Sequence, residues 1–357
     1  MEAVAISEAF WRDRRVLITG VTGFKGGWLA LWLRELGATV LGYSLPPPSK
    51  PSLFDEGGVC RAATWIEGDI RDRAALQRAI RQASPEIVFH LAAQPIVRTS
   101  YDLPVETFET NVLGTVNLLE ALRECESTSA VVVVTTDKCY ENREWCWPYR
   151  ETDALGGYDP YSSSKACAEI ATAAYYRSFY QARGVGVATA RAGNVVGGGD
   201  WARDRLIPDC VACLERGETI VVRNPGSVRP WQHVLEPLHG YLALAERLAT
   251  DGSLFAGAWN FGPEAAAIRP VSEVVETFCS LWEGGNGWRS AEGPAPHEAS
   301  VLALDSSKAR TRLGWRPALT LPEALQWTVA WQQARRTGRD MHDYSLGQIR
   351  KYRELSS

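Results

Sequence analysis

The stretch LITGVTGFKGGWLALWL, Leu17–Leu33, decides the fold. It begins in an apolar run and ends in a helical pattern, and three glycines lie between the two in a G-x-x-G-x-x-G spacing. Glycine lets a backbone approach a pyrophosphate closely, and the start of a helix offers free N–H groups and the positive end of its dipole. In this strand-turn-helix context the spacing predicts a dinucleotide-binding loop. Its predicted cofactor-binding residues are Gly20, Gly23, Phe24, Lys25 and Gly26.

Apolar runs typical of strands alternate with helical patterns through the first half of the chain. This rhythm predicts an α/β fold built on a Rossmann-type doubly wound parallel sheet. The predicted strands are Val16–Thr19, Thr39–Ser44, Thr64–Asp69, Ile87–Leu91, Val131–Val134 and Val185–Arg191, and the predicted helices are Gly26–Leu36, Arg73–Gln82, Thr107–Arg123 and Tyr161–Ala182.

After Asn194 the pattern loosens into loops rich in Gly, Pro, Trp and Arg. Loops of this kind usually form binding surfaces, so they predict a smaller C-terminal α/β lobe that binds the substrate. We therefore expect a dinucleotide-binding domain over residues 1–192, its sheet completed by a later segment near 234–263. The substrate-binding lobe, over residues 193–357, is expected to be interleaved with it.

Composition excludes several classes of function. A net charge of −4 over 357 residues argues against a nucleic-acid-binding surface. No apolar run reaches the length of about 18 residues that spans a bilayer, and the N-terminus has acids where a signal peptide has bases, so we expect a cytoplasmic protein without a membrane partner. The eight cysteines are scattered, and the lone Cys210-x-x-Cys213 lacks a second ligand pair, so no metal site is expected.

The strand ends indicate how a dinucleotide lies across the sheet. Asp69 and Ile70 follow the third predicted strand and are expected beside the adenine, and Leu91, Ala92 and Ala93 are expected under the cofactor. The second strand ends in Ser44 without the acidic residue that usually binds the ribose, so the serine hydroxyl is the expected partner. No arginine stands nearby to hold a 2′-phosphate, and NAD is therefore favoured over NADP.

Tyr161 and Lys165 lie four residues apart at the start of a predicted helix, so both side chains project from one face. An ammonium beside a phenol is expected to lower the phenol pKa from about 10. The tyrosinate can then accept the proton of a substrate hydroxyl while hydride leaves for a nicotinamide. We expect these two residues to be both catalytic and cofactor-binding.

Together, T-G-x-x-G-F-x-G, the N-V-x-G-T of Asn111–Thr115 and Y-x-x-x-K resemble the extended short-chain dehydrogenase/reductase superfamily over nearly the whole chain. The resemblance implies NAD as cofactor and a nucleotide-linked sugar as substrate. Members of the superfamily often dimerise through the helices that follow the fourth and fifth strands. A homodimer formed through residues 107–123 and 161–182 is therefore expected.

The stretch VVVVTTDKCY, Val131–Tyr140, indicates which reaction is catalysed. Tyrosine, lysine and NAD suffice for a 4-epimerase, whereas dehydration also needs a base at C5 and an acid at the 6-hydroxyl of the sugar. Thr136-Asp137-Lys138 follow the valine strand, at the crevice of the sheet, and resemble the triplet of the sugar-nucleotide 4,6-dehydratases. A polar turn that merely ends a strand is the alternative.

The resemblance suggests a role for each member of the triplet. Asp137 is expected to protonate the leaving hydroxyl, Lys138 to remove the C5 proton, and Thr136 to bond the C4 oxygen. A lysine must be neutral to act as a base. If Lys138 stays charged, it stabilises the C5 enolate instead, and another group or water takes the proton.

Two blocks in the second half, RAGNVVGGGDWARDRLIP and RNPGSVRPWQHVLE, carry candidates for the substrate. The superfamily resemblance implies that Asn194 and Arg229 hold the diphosphate, which suits the planar donor fork of arginine. The expected substrate-binding residues are Gln94, Asn194, Arg205, Pro208, Arg229 and His297.

Longer strings, including AAQPIVR, TTDKCYENREW and VRPWQHVLEP, are similar to the CDP-D-glucose branch of these dehydratases. That likeness implies CDP-glucose as the substrate and CDP-4-keto-6-deoxy-D-glucose as the product, a precursor of 3,6-dideoxyhexoses in bacterial surface polysaccharides. A 4,6-dehydratase of another NDP-glucose would use the same residues. An NAD-dependent 4-epimerase and a nicotinamide-sensing binding protein are the other readings, and the second is disfavoured by Tyr161 with Lys165.

Overall fold

The computed structural model describes residues 4–284, 286–291 and 301–356. Its centre is a seven-stranded sheet in the order β3-β2-β1-β4-β5-β6-β10, and every neighbouring pair is parallel. The strands of this sheet are β1 (Arg15–Thr19), β2 (Thr39–Ser44), β3 (Thr64–Glu67), β4 (Ile87–His90), β5 (Ala130–Val134), β6 (Gly186–Ala192) and β10 (Gly257–Phe261). The predicted α/β fold with a Rossmann-type doubly wound sheet is confirmed.

Helices cover both faces of the sheet. The described helices are α1 (Glu8–Trp11), α2 (Phe24–Glu35), α3 (Leu53–Glu56), α4 (Val59–Ala62), α5 (Arg73–Ala83), α6 (Val97–Asp102), α7 (Pro104–Phe108), α8 (Gly114–Leu122), α9 (Pro160–Tyr175), α10 (Leu206–Glu215), α11 (Leu235–Asp251), α12 (Val271–Leu281), α13 (Leu321–Arg336) and α14 (Met341–Leu355). Among these residues no helix has both the length and the apolar character needed to cross a membrane.

The valine strand β5 shows why this sheet needs cover on both sides. Val131 and Val133 belong to one buried cluster with α5 and α8, whereas Val132 and Val134 belong to another with α2 and α11. Successive side chains of a strand point to opposite faces, so a run of valines is stable only where both faces are packed.

The loops after β1 and β4 touch where the strand order reverses. Gly20 has a φ of +78°, and a Cβ built there would lie 2.7 Å from the backbone nitrogen of Ala92. A Cβ on Gly26 would lie 2.1 Å from the carbonyl oxygen of Gly20. These two glycines are therefore required by the packing of the turn itself, and they fix the crevice at this edge of the sheet.

A smaller lobe lies beyond β6. It contains a three-stranded sheet, β11-β9-β7, and a two-stranded sheet, β12-β8. Its strands are β7 (Asn194–Val196), β8 (Ile220–Val222), β9 (Val228–His233), β11 (Ile268–Pro270) and β12 (Trp288–Ser290). Between these, the chain returns to the main sheet through α11 and β10, and α14 packs against α2.

Candidate active site

A cavity of about 310 Å³ lies between the carboxyl edge of the main sheet and the smaller lobe. It brings together ten of the residues predicted from the sequence, which come from five separate segments. They are Phe24, Lys25, Thr136, Asp137, Lys138, Tyr161, Asn194, Arg205, Pro208 and Arg229.

The end of β5 turns into this cavity through a short 3₁₀ turn, Asp137–Cys139. The Thr136 hydroxyl accepts a hydrogen bond from the Lys138 backbone nitrogen at 3.4 Å and donates one to Asp137 Oδ1 at 3.0 Å. A threonine at this position therefore caps the turn, as the polar-turn reading requires, but it also fixes the orientation of the carboxyl group.

Asp137 is only 2% exposed, and its second oxygen, Oδ2, has no hydrogen-bond partner within the described part of the chain. A Cβ on Gly193 would come within 3.0 Å of that oxygen, so the glycine leaves room beside it. Burial raises the pKa of Asp137, although Lys138, Thr136, Arg229 and Lys25 act in the opposite direction. A buried carboxyl that favours its protonated form and has a free oxygen facing a cavity is suited to donating a proton.

Helix α9 carries the predicted redox pair. Its N-terminus is set by Asp159, whose side chain accepts from the Ser162 nitrogen at 2.9 Å, and by Pro160 at the first helical position. With the helix start fixed in this way, Tyr161 and Lys165 are both buried and lie against the end of β5. Lys165 Nζ donates to the Val134 carbonyl oxygen at 3.2 Å.

The predicted lowering of the Tyr161 pKa is wrong for this structure. Burial raises it to about 12, and the hydrogen bond with Thr136 only partly opposes that rise. Burial also lowers the pKa of Lys165 to about 8, and Glu169 partly restores it. Desolvation of the phenol therefore outweighs the charge of Arg205, which lowers the Tyr161 pKa.

The glycine loop fits a dinucleotide. Gly23 is the N-cap of α2, and a Cβ there would have only the Gly20 carbonyl oxygen nearby, at 3.3 Å. A Cβ at Gly23 would be less crowded than one at Gly20 or Gly26, and the missing side chain leaves space at the start of a twelve-residue helix. The Thr22 hydroxyl donates to the Leu45 carbonyl oxygen at 2.9 Å and lies 3.1 Å from Ser44 Oγ, so the serine hydroxyl is already hydrogen-bonded within the protein, and its contact with a ribose stays a prediction.

The remaining cofactor predictions lie along the same edge. Asp69 is held by Arg71, whose guanidinium donates to Oδ2 at 2.6 and 2.9 Å, so the side chain is already paired. Ile70 is buried against Gly114, and Leu91–Ala93 follow β4 beside the glycine loop. Their contact with a cofactor stays a prediction.

The predicted substrate residues differ in what surrounds them. Arg205 forms an ion pair with Asp200 at 3.0 Å, and Arg229 Nη1 donates to the Val228 carbonyl oxygen at 2.9 Å. The Gln94 side chain is used within the protein, because its oxygen accepts from the Ile96 nitrogen at 2.6 Å. A further predicted residue, His297, lies outside the described residues.

Comparison with known proteins gives the family. A model described as GDP-mannose 4,6 dehydratase matches residues 17–328. The chain belongs to the GDP-mannose 4,6-dehydratase family.

Individual relatives are similar over nearly the whole length. The chain is 50% identical over 355 residues to the CDP-glucose 4,6-dehydratase of Salmonella typhimurium strain LT2, covering 97% of this chain and 98% of that protein. It is 28% identical over 347 residues to a dTDP-glucose 4,6-dehydratase of Xanthomonas campestris strain B100, covering 90% and 93%. Among solved structures, the UDP-glucose 4-epimerase of Thermus thermophilus in complex with NAD superposes with a TM-score of 0.76 at 25% identity, covering 88% and 98%.

Within this dehydratase, Lys25 does more than its place in the glycine loop suggested. Its side chain reaches the cavity, where burial lowers its pKa to about 7. The charges of Arg205 and Lys165 lower that pKa further, and those of Asp137 and Asp200 raise it. The lysine is therefore placed among the groups predicted for substrate and catalysis as well as beside the cofactor loop.

Sequence reasoning also missed a buried polar network behind the predicted catalytic residues, formed by Glu169, Arg191 and Tyr140. A signal was present in the sequence. Arginine is out of place in the apolar strand GVATARA, and Glu169 follows Lys165 by four residues on the same helical face. A buried charge of one sign calls for a partner of the other.

Proposed function

We propose that this protein is an NAD-dependent 4,6-dehydratase that converts CDP-D-glucose to CDP-4-keto-6-deoxy-D-glucose and water. Membership of the dehydratase family and 50% identity to a CDP-glucose 4,6-dehydratase support the reaction and the nucleotide. The observation that carries the proposal is the buried carboxyl of Asp137, with an unpartnered oxygen beside Tyr161 in the same cavity.

The first step oxidises C4 of the glucose. NAD, when bound, accepts the hydride from C4 and later returns it to C6, and its oxidised nicotinamide carries a positive charge. Tyr161 takes the proton of the 4-hydroxyl, and Thr136, which lines the same cavity, holds the C4 oxygen. The Lys165 ammonium and the nicotinamide charge both favour the tyrosinate, against the burial that raises its pKa.

The second step removes water across C5 and C6. The C4 ketone makes the C5 hydrogen acidic. Lys138 accepts that proton in its neutral form, whereas a charged Lys138 stabilises the C5 enolate while another group or water takes the proton. The C6–O bond breaks as Asp137 donates its proton to the leaving hydroxyl, which departs as water and leaves a C5=C6 double bond. Burial raises the pKa of Asp137, which shifts the carboxyl toward the protonated form that this step requires.

The last step saturates that double bond. Bound NAD would supply the hydride for C6, and the proton taken from C5 would be returned there, so the sugar keeps its C4 ketone and has lost one water. Before the next turnover Tyr161 releases to solvent the proton it took from the 4-hydroxyl, and Asp137 takes one proton up from solvent. Asp137 and Lys138 are thus the groups that separate dehydration from 4-epimerisation, which ends once C4 has been reduced again.

The smaller lobe is proposed to hold the nucleotide. Arg205 and Arg229 line the cavity with Asn194 and Pro208, and their guanidinium groups suit a diphosphate. Burial lowers the pKa of Arg205, but the charge of Asp200, its hydrogen bond and Tyr161 together raise that pKa above its ordinary value, so the side chain stays cationic. Residues 193–357 form this lobe in the proposal, interleaved with the NAD-binding domain of residues 1–192.

A homodimer is proposed through the helices that follow β4 and β5. Large apolar side chains are exposed on these helices, with Val105 at 68%, Leu113 at 55% and Ile170 at 56%. A second copy that packs α7, α8 and α9 against their equivalents would bury them. Equilibrium sedimentation that finds only monomer at micromolar protein would exclude this dimer. The cytoplasmic location and the lack of a nucleic-acid partner stay predictions.

The deciding experiment incubates the purified protein with NAD and, separately, CDP-, dTDP-, UDP- and GDP-glucose. Product is followed by the alkaline absorbance of a 4-keto-6-deoxy sugar, and mass spectrometry confirms the loss of one water. We expect product from CDP-glucose and little from the others. Water loss from a different sugar nucleotide would support the dehydratase reaction but show that the nucleobase is not cytosine. Epimerisation without water loss would show that Asp137 and Lys138 only form a polar turn.

A further inference from the structure

A buried ion pair lies directly behind the proposed catalytic residues. Glu169 and Arg191 are 3% and 2% exposed, and the arginine donates to both carboxylate oxygens, from Nε at 2.9 Å and from Nη2 at 2.8 Å. Burying two charges removes their hydration, and an apolar pair of similar volume is often at least as stable. The pair therefore calls for a reason beyond stability.

The carboxylate of Glu169 also joins three elements of the fold. Besides Arg191 of β6, it accepts from the Thr135 hydroxyl at 2.5 Å and from the Thr189 hydroxyl at 2.6 Å. Both of its oxygens are thus used twice, and all four donors belong to β6 or to the residue that follows β5. A fully satisfied network of this kind holds one geometry and resists rotation of any single member.

The contact between Glu169 and Thr135 joins two segments that carry the proposed catalytic residues. Glu169 lies one helical turn after Lys165, and Thr135 immediately precedes Thr136 and Asp137. Lys165 itself donates to the carbonyl oxygen of Val134. Two successive turns of α9 therefore hold two successive residues at the end of β5.

Arg191, the other member of the ion pair, binds the residue that directly follows the same turn. Arg191 Nη1 donates to the Tyr140 hydroxyl at 2.7 Å, and its guanidinium lies 4.8 Å from the centre of the Tyr140 ring. That hydroxyl in turn donates to Asn260 Oδ1 at 2.7 Å. The 3₁₀ turn of Asp137–Cys139 is thus held before its start through Thr135 and after its end through Tyr140.

We propose that the Glu169–Arg191 pair is a positioning element that holds the Thr136–Lys138 turn at a fixed place relative to Tyr161 and Lys165. Its purpose is to couple C4 oxidation to water elimination. This inference rests on the proposed function. The oxidised sugar must present its C6 oxygen to Asp137 without moving away from Tyr161, and a misplacement of about 1 Å can slow a step by roughly 100-fold.

The carboxylate of Glu169 also acts on Lys165 through its charge. Burial lowers the pKa of Lys165, and Glu169 raises it. Because the ammonium form supports the tyrosinate, activity should fall as pH rises through this pKa. The other charged or titratable groups around Lys165 are Tyr161 on the same helix, Cys139 on the turn, Lys25 on α2 and His90 on β4. Removing the Glu169 charge should therefore move the high-pH limb of the activity profile to lower pH.

Two variants separate the geometry from the charge. Glu169→Gln keeps the size of the side chain and removes its charge. Tyr140→Phe keeps both the ion pair and the ring that stacks on Tyr149, but it removes the hydroxyl that links Arg191 to Asn260. Glu246→Gln is the matched control, because Glu246 is a half-buried carboxylate that accepts from Ser7 and Trp11 away from the cavity.

The assay is a single turnover of the NAD-loaded protein with CDP-glucose, quenched in time and analysed by mass for the 4-keto sugar before and after water loss. We expect Glu169→Gln and Tyr140→Phe to slow water loss at least about tenfold more than C4 oxidation, with KM changed by less than about threefold. The high-pH limb should move in Glu169→Gln alone, and Glu246→Gln should match the wild type.

Equal slowing of both steps in the two variants, with an unmoved pH limb, would overturn the proposal and leave a structural role. If Glu169→Gln does not fold, Tyr140→Phe decides alone, and an unchanged ratio of the two steps would overturn the positioning role. A wild-type protein that removes water from no nucleotide would refute the proposed function and this inference together. A wild-type dehydratase whose variants keep the two steps coupled would refute the inference only.

Discussion

Asp137→Asn tests the proposed acid while changing the shape of the site very little. The asparagine oxygen can still accept from Thr136, as Asp137 Oδ1 does at 3.0 Å, and the amide nitrogen takes the place of the unpartnered Oδ2. The room left by Gly193 accommodates that nitrogen. The variant therefore removes one function from the site, which is the proton that the carboxyl gives to the leaving hydroxyl.

The expected magnitude follows from what that proton does. General acid catalysis by a positioned group contributes about 10²–10⁴-fold to a rate, equivalent to roughly 3–5 kcal/mol of activation free energy. Water loss should slow by that factor in Asp137→Asn. C4 oxidation uses Tyr161 and Lys165, so it should slow by less than about tenfold. The 4-keto sugar that has not lost water should accumulate during a single turnover.

A quenched single turnover with CDP-glucose, analysed by mass, measures both species in one sample. Asp200→Asn is the control, because Asp200 is a buried carboxyl of the same cavity that pairs with Arg205. Loss of that pair should raise KM and leave the ratio of the two steps unchanged. If Asp137→Asn loses water within about threefold of the wild-type rate, Asp137 is not the acid, and the argument from its burial is refuted.

Three further outcomes test other parts of the structure. Lys138→Met should slow solvent deuterium incorporation at C5 by about 100-fold or more, and unchanged exchange would remove Lys138 from the role of base. Gly26→Ala places a Cβ 2.1 Å from a backbone oxygen and should lose both thermal stability and NAD binding, whereas Gly23→Ala should keep its melting temperature and lose NAD affinity, as measured by calorimetry. Burial raises the pKa of Glu236 to about 7, so wild-type stability should fall as pH rises from about 4.5 to 7. The expected loss in the free energy of unfolding is on the order of 3 kcal/mol, and Glu236→Gln should make it smaller. If urea unfolding gives the same pH dependence of stability for both proteins, the raised pKa of Glu236 is contradicted.

The sequence predicted the fold best at positions where the local structure accepts only one type of residue. The β-branched run of β5 is buried on both faces, and the glycines at 20 and 26 are fixed by backbone contacts under 3 Å. Such local requirements can be inferred from neighbours in the chain. The common face of Tyr161 and Lys165 could also be predicted, because helical periodicity places residues four apart on one side of a helix.

Electrostatics could not be predicted in the same way. The pKa of Tyr161 depends on how completely the fold buries the hydroxyl, and that burial comes from residues far away in the chain. Lys25 shows the same limit: its position in the glycine loop suggested the cofactor alone, yet its side chain meets charges from Asp137 and Arg205. The pairing of Glu169 with Arg191 likewise depends on which strand lies beside α9, which sequence spacing does not reveal.

In the proposed reaction, the charges around Asp137 distinguish dehydration from epimerisation, because the fold itself is similar to that of a 4-epimerase. Burial raises the pKa of Asp137, whereas the cations of Lys138, Arg229 and Lys25 lower it. In the proposed reaction the diphosphate of the substrate attracts the same cations, and a cation that turns toward a phosphate has less effect on the carboxyl. Substrate binding should then leave burial as the dominant influence and keep Asp137 protonated. The acid would be ready when the sugar arrives, and the same arginine fork that anchors the nucleotide would help to prepare it.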